Sequence, residues 1–268
     1  SVAPRPIGFT ASKSSDGYIN LAPFSYHNAF SSNPPIVGIS PAFSGRTGKP
    51  KNTLSNILDT KEFTLSIVTY DMVEQMNICA AEYDSNVDEF NKSGLTKRES
   101  NFVSVPGVLE SPLILECKFL QHIQFSDKPA GGNLLLGEII CFHAREDVYD
   151  DSGRIDPEKV DQVSRLGMNW YGRANQGLFD LPPPRFLPIG VDSLPMEVKN
   201  SPYFSGKLLA RLAYVESIPE VDDSFSLKQK FIDHGKDDLL KACANFLENN
   251  QLRISGNLTI KSLEYPDQ

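Results

Sequence analysis

The run Ser44–Gly45–Arg46–Thr47–Gly48–Lys49–Pro50–Lys51–Asn52–Thr53 sets cations, glycines and hydroxyls just ahead of a helix that Asn52 or Thr53 can cap. Unpaired N–H groups and the positive dipole end of such a helix favour a bound anion. Arg46 can grip phosphate oxygens with two donors, and Lys51 adds a point charge. The run is not a P-loop, since Phe43 and Pro50 stand where that motif needs Gly and Ser or Thr. Upstream, residues 20–28 (NLAPFSYHN) carry Pro23, which cannot donate to a strand ladder and so lies at a sheet edge or leaves the sheet. Free backbone groups there could meet the polar rim of a heterocycle, with Phe24 and Tyr26 as flat apolar faces. Together the segments suggest a planar ligand that bears a phosphate. On spacing alone, a solvated loop and a surface turn with two core aromatics remain open alternatives.

Other reactive side chains give less. Of His27, His122, His143 and His234, His143 ends a buried-looking strand and is the strongest functional candidate. No Ser-His-Asp arrangement can be read from spacing. Cys79, Cys117, Cys141 and Cys243 form no CxxC pair, have apolar neighbours and read as buried free thiols without metal-ligand spacing to a histidine. No metal site is expected. The acidic run 146–161 lacks calcium-loop spacing and reads as a solvated loop.

Elements must hold the two half-sites together. Residues 7–12 (IGFTAS), 18–21, 36–40, 62–70 (EFTLSIVTY), 112–125 (PLILECKFLQHIQF) and 134–144 (LLLGEIICFHA) read as strands. Asp16–Gly17 reads as a hairpin turn and 126–132 as a hairpin loop. A helix from Asn52 would turn Leu54, Ile57 and Leu58 inward, and Asp71 would start another through Ala81, with Met72, Met76 and Cys79 inside. Residues 82–106 read as a polar loop with a short helical piece near 87–91, and a short helix follows Pro157. Beyond Gly190 the β pattern weakens, and helices are expected over 227–234 and 237–249. Few βαβ alternations and no GxGxxG after a strand favour an antiparallel barrel over a doubly wound sheet.

The 268 residues, with 40% hydrophobic side chains, suffice for a large core. A formal net charge of −8 and a pI near 5.1 argue against nucleic-acid binding. No apolar run is long enough for a membrane span. The opening SVAPRP lacks a basic and an apolar signal region, and its missing Met leads us to expect upstream residues. We expect a cytoplasmic protein without a membrane partner.

PRPIGF, DGYINLAPFS, NPPIVGIS, KNTLSNI, TKEFTLSIV, VDEFNKSGL, SPLILECK and LGEIICFHA follow one another in this order. The series resembles the flavin reductase-like, flavoredoxin-type proteins of the FMN-binding split-barrel superfamily, over roughly residues 2–185. The resemblance implies a mainly β chain with helices: a Greek-key split β-barrel over 1–190 and a largely helical extension over 191–268 packed on it. It implies a homodimer with FMN near the interface. Asn20, Ala22, Pro23, Phe24, Ser25 and Tyr26 would line the isoalloxazine ring. Ser40, Arg46, Lys51, Asn52 and Thr53 would hold the ribityl phosphate. His143 and the segment 169–171, Tyr171 included, would approach the flavin, in one arrangement from the other subunit. Two departures stand out: the family's KDT is KNT, with Asn52 for an acidic cap, and the loop 43–49 is long for Arg46. The activity implied is NAD(P)H-dependent flavin reduction, with NADH or NADPH as reductant and no single catalytic residue. An electron carrier that holds FMN tightly, or a barrel that has exchanged flavin for a ligand such as haem, is the alternative.

Overall fold

The structure, a computed structural model, describes residues 2–217 and 236–249. It opens with β1 (Arg5–Pro6), β2 (Gly8–Lys13) and β3 (Ile19–Phe24), the last two joined through a turn in which Gly17 takes φ +90°. A hairpin of β4 (His27–Ser32) and β5 (Pro35–Ile39) follows, then helix α1 (Asn52–Thr60) and β6 (Glu62–Ile67). Next come α2 (Val73–Ile78), α3 (Glu89–Ser93) and the short pair β7 (Lys97–Arg98) and β8 (Gly107–Val108). The long strands β9 (Leu113–Gln124) and β10 (Asn133–Ala144) precede α4 (Pro157–Val160), β11 (Val163–Gly167) and β12 (Trp170–Arg173).

Seven strands form one antiparallel sheet in the order β3-β2-β6-β9-β10-β5-β4. Its outermost strands, β3 and β4, are joined by only Ser25 and Tyr26. Two residues span a few ångströms, so the sheet must roll until its edges meet. No ladder joins β3 to β4, which leaves the barrel split at this seam. The pairing of β10 with β9 shifts register twice, and bulges of this kind bend long strands around a barrel. Close packing also needs Gly137, where a Cβ would lie 2.3 Å from the Phe63 ring.

The alternation of β2 and β6 sorts the core into two layers. Phe63 and Leu65 join Val37, Ile39, Cys117 and Leu135 under Leu54 and Ile57 of α1. Phe9, Ala11 and Leu21 face the other way, against Met72, Met76, Phe90 and the valines 103, 105 and 108. The inward residues expected of α1 take that place, with Leu58 only partly buried. Two strand segments carry no signal in the sequence, and one expected helix changes. Residues 27–32 form a strand that carries no apolar alternation, because almost all of it is exposed. The helix expected from Asp71 begins as a 3-10 turn, Tyr70–Met72, and is helical only over Val73–Ile78. The stretch 166–173 belongs to a hairpin, β11–β12, which with β1 forms a separate sheet.

Contacts divide the chain into two compact units, Ser1–Leu178 and Phe179–Gln268. In the second unit, Tyr214 donates to the Pro182 carbonyl at 3.2 Å and Ile189 N–H to that of Val215 at 2.9 Å, tying in the proline-rich stretch. Helices α5 (Met196–Lys199), α6 (Gly206–Leu212) and α7 (Lys236–Asn249) follow, with Phe204, Leu208, Ala244 and Leu247 packed together. The helix expected over 227–234 lies outside the described residues. No described helix is long and apolar enough to cross a membrane.

Candidate cofactor site

A cleft of about 270 Å³ opens where the barrel seam meets the start of α1. One wall is β3 and the turn after it, which contribute Asn20, Ala22, Pro23, Phe24, Ser25 and Tyr26. Leu21 donates its N–H outward to Glu89 at 2.9 Å, so this edge of β3 is unpaired by any strand. Pro23 lies two residues on, and its missing N–H falls on the same open edge, where it costs no ladder bond. The expectation of an edge position for Pro23 is met by this geometry.

The opposite wall is Ser40, the loop through Ser44, Thr47 and Lys49, and the residues Lys51, Asn52 and Thr53. Hydrogen bonds from Ser44 N–H to the Lys49 carbonyl (2.9 Å) and from Gly48 N–H to that of Ser44 (2.8 Å) close the loop on itself. Gly48 takes φ +69°, a conformation that favours glycine. Helix α1 then starts from Lys51 with no side-chain cap and no acidic residue in its first turn. The N–H groups of Asn52 and Thr53 are thus left for an anion, beside two lysines and the hydroxyls of Ser44 and Thr47. This donor set, cationic and hydroxyl-rich at a bare helix start, fits a phosphate monoester.

The third wall was not legible in the sequence. Residues 79–83 and Glu89 complete the cleft. Glu82 accepts from Lys51 Nζ at 3.1 Å and from Ser44 Oγ at 3.0 Å, and Arg46 reaches it at 3.6 Å. Hydrogen bonds from Lys51 and then Ser44 hold its carboxyl below the ordinary carboxylate value. Glu82 therefore engages the very groups that suit a phosphate. Arg46 itself is largely exposed and does not line the cleft, as the length of its loop would allow.

Asn20 links the walls. Its Nδ2 donates to Glu89 Oε1 at 2.7 Å, and its Oδ1 accepts from Thr53 Oγ1 at 2.6 Å. Glu89 is 2% exposed and has no cationic partner among the described residues, so burial pushes its carboxyl upward against the hydrogen bonds from Leu21 and Asn20. Asn20 thus ties β3, α1 and α3 into one polar network. The motif VDEFNKSGL contains Glu89, but in sequence it reads only as the start of a short helix.

Two predicted residues lie elsewhere in the chain. Tyr171 lines a second cavity of about 370 Å³, which shares Pro23, Ser25 and Ala80 with the cleft. His143 lines neither cavity. Its Nε2 sits 2.6 Å from Glu116 Oε1 and 3.5 Å from Cys141 Sγ. Residues two apart on a strand share a face, so the Cys141-x-His143 spacing does bring a thiol to an imidazole, contrary to the reading above. Burial works to raise the Glu116 carboxyl, but N–H donors from Asn101 and Phe102 together with His143 outweigh it and hold it low. Cys79 and Cys117 are buried thiols as expected, whereas Cys141 is half-buried and Cys243 exposed.

Comparison with known proteins adds the following. Residues 2–173 match the family model described as flavin reductase like domain. The curated protein YwrF of Bacillus subtilis, described as uncharacterized, is 37% identical over 180 residues, covering 66% of this chain and 86% of its own. The crystal structure of nitrilotriacetate monooxygenase component B from Bacillus cereus is 33% identical with a TM-score of 0.63, over 68% of this chain and 89% of that one. The 2-nitrobenzoate 2-nitroreductase NbaA of Pseudomonas fluorescens is 30% identical with a TM-score of 0.61, over 70% and 89% respectively.

Proposed function

The chain belongs to the flavin reductase like domain family, and from that premise we propose that it binds FMN in the cleft and works as an NAD(P)H-dependent flavin reductase. The observation that carries the reading is the pairing of an uncapped α1 start, with Lys51 and Thr53, and an open β3 edge at Pro23 across a single cleft. The first would hold the ribityl phosphate through Lys51, Asn52, Thr53 and Ser40. The second would meet the isoalloxazine through backbone groups of 22–25, with Phe24 and Tyr26 beside the ring. A bound flavin supplies hydride acceptance from nicotinamide. The chain's own part is to orient the cofactor and neutralise its phosphate. Its kinship with a monooxygenase component and a nitroreductase supports a redox role.

We also propose a homodimer in the cytoplasm. Phe30, Leu120, Phe125 and Phe142 are exposed apolar side chains on strands β4, β9 and β10 and the turn after β9, and such surfaces mark association sites. FMN titration followed by steady-state NAD(P)H oxidation tests the function. Turnover with free flavin supports a reductase, whereas tight FMN without turnover supports an electron carrier instead. No FMN binding at all overturns the reading.

A further inference from the structure

Strand β1 pairs with β11 so that Arg5 stands directly opposite Arg165. Opposed residues of an antiparallel pair share a face, with Cβ atoms about 5 Å apart, and like charges there destabilise the sheet. Both side chains are half-buried, and neither has a carboxylate partner among the described residues. Arg173 on the neighbouring strand differs, since it bridges Asp161 with two contacts of 2.8 and 2.7 Å. The opposed pair is therefore a local excess of positive charge in a chain whose net charge is −8.

Arg165 lines the second cavity, and Arg5 reaches it only through Ser25. The Arg165 guanidinium lies 4.6 Å from the Tyr171 ring centroid, with one donor spent on the Met168 carbonyl. Arg5 donates to Ser25 Oγ at 3.3 Å, and Ser25 lines this cavity and the cofactor cleft alike. Its guanidinium also lies 5.4 Å from the Tyr26 ring centroid. Ile7, Pro23 and Met76 give the cavity apolar surface, and Asn77 and Asn169 add amides. Arg5 also donates from Nη1 to the Val2 carbonyl at 2.8 Å, and the remaining donors of two arginines stacked on tyrosines suit a planar anionic group.

We propose that Arg165 on the second cavity, with Arg5 opposite it behind Ser25, recognises an anion, and that the cavity takes a ligand with a carboxylate or phosphate on a small aromatic body. The site stands on its own geometry; its role as the place of the second reactant rests on the flavin reading of the adjoining cleft. Binding of the anion relieves the repulsion between the two guanidinium groups, so an unoccupied pair costs stability that the ligand restores.

The test uses the full chain, with and without added FMN, and calorimetric titration with benzoate, its neutral isostere benzamide, and ADP. Benzoate or ADP should bind at least about tenfold more tightly than benzamide, as a charge-assisted hydrogen bond implies. Preference for benzoate identifies a carboxylate ligand, and preference for ADP a phosphate-bearing one. Arg165→Gln and Arg5→Gln should each abolish most of that preference, while Arg165→Lys keeps part of it. Either neutral variant should also melt at a higher temperature than the parent when no ligand is added. The proposal fails if benzamide binds as well as both anions, if none of the three binds, or if Arg165→Gln leaves the preference intact. FMN loading is read separately, so its failure would overturn the flavin reading and leave the anion preference to be judged without it.

Discussion

Glu82 occupies Lys51 and Ser44 with its carboxylate, at 3.1 and 3.0 Å. A phosphate in the same place must displace it, so Glu82→Gln should tighten FMN binding several-fold and increase its salt dependence, because Lys51 then meets the phosphate unneutralised; exposed pairs are weak, so no larger gain is expected. Fluorescence titration at low and high salt checks this. Lys51→Ala and Thr53→Ala should act oppositely, each weakening FMN by about tenfold. Glu116 gives a pH prediction. Its native carboxyl is held below the unfolded value by the N–H groups of Asn101 and Phe102 and by His143. Its stabilisation is therefore fully present above the ordinary carboxylate range and is lost as pH falls through the depressed native value. Glu116→Gln should cost about 2–4 kcal/mol at neutral pH in urea melts and flatten that acid limb. Lys51 and Thr53, which line the cleft, could be singled out because cations and hydroxyls before a helix suit an anion, although a solvated loop fits the same spacing. Glu82, Glu89 and Glu116 were not, since each acts on partners remote in sequence.

Among elements, α1 couples core to site. Its buried Leu54 and Ile57 seat it on the barrel, while its bare first turn faces the cleft. Ile57→Ala should cost about 2–5 kcal/mol and weaken FMN as the helix start loosens. Gly137→Ala tests the barrel curvature: a methyl there meets Phe63, and about 1–3 kcal/mol should be lost without direct effect on the cleft. The strands that alternate or run apolar, β2, β6, β9 and β10, were readable because burial imprints a pattern. Strand β4 was not, because its side chains lie in water and its order comes from the ladder with β5.

At the scale of the whole molecule, the two-residue link between the outer strands closes the barrel and sets both half-sites across one seam. The order of motifs carried this fold in the sequence. The cleft's third wall and the opposed arginines emerge only from pairing in three dimensions. The exposed apolar strands predict a dimer, which light scattering after gel filtration should show at twice the 29.7 kDa chain mass. The most direct test of the account compares FMN with riboflavin in titrations of the purified protein. FMN should bind at least about tenfold more tightly, and Lys51→Ala should remove most of that difference. Equal affinities for the two flavins, or a protein whose thermal stability FMN leaves unchanged, would contradict it.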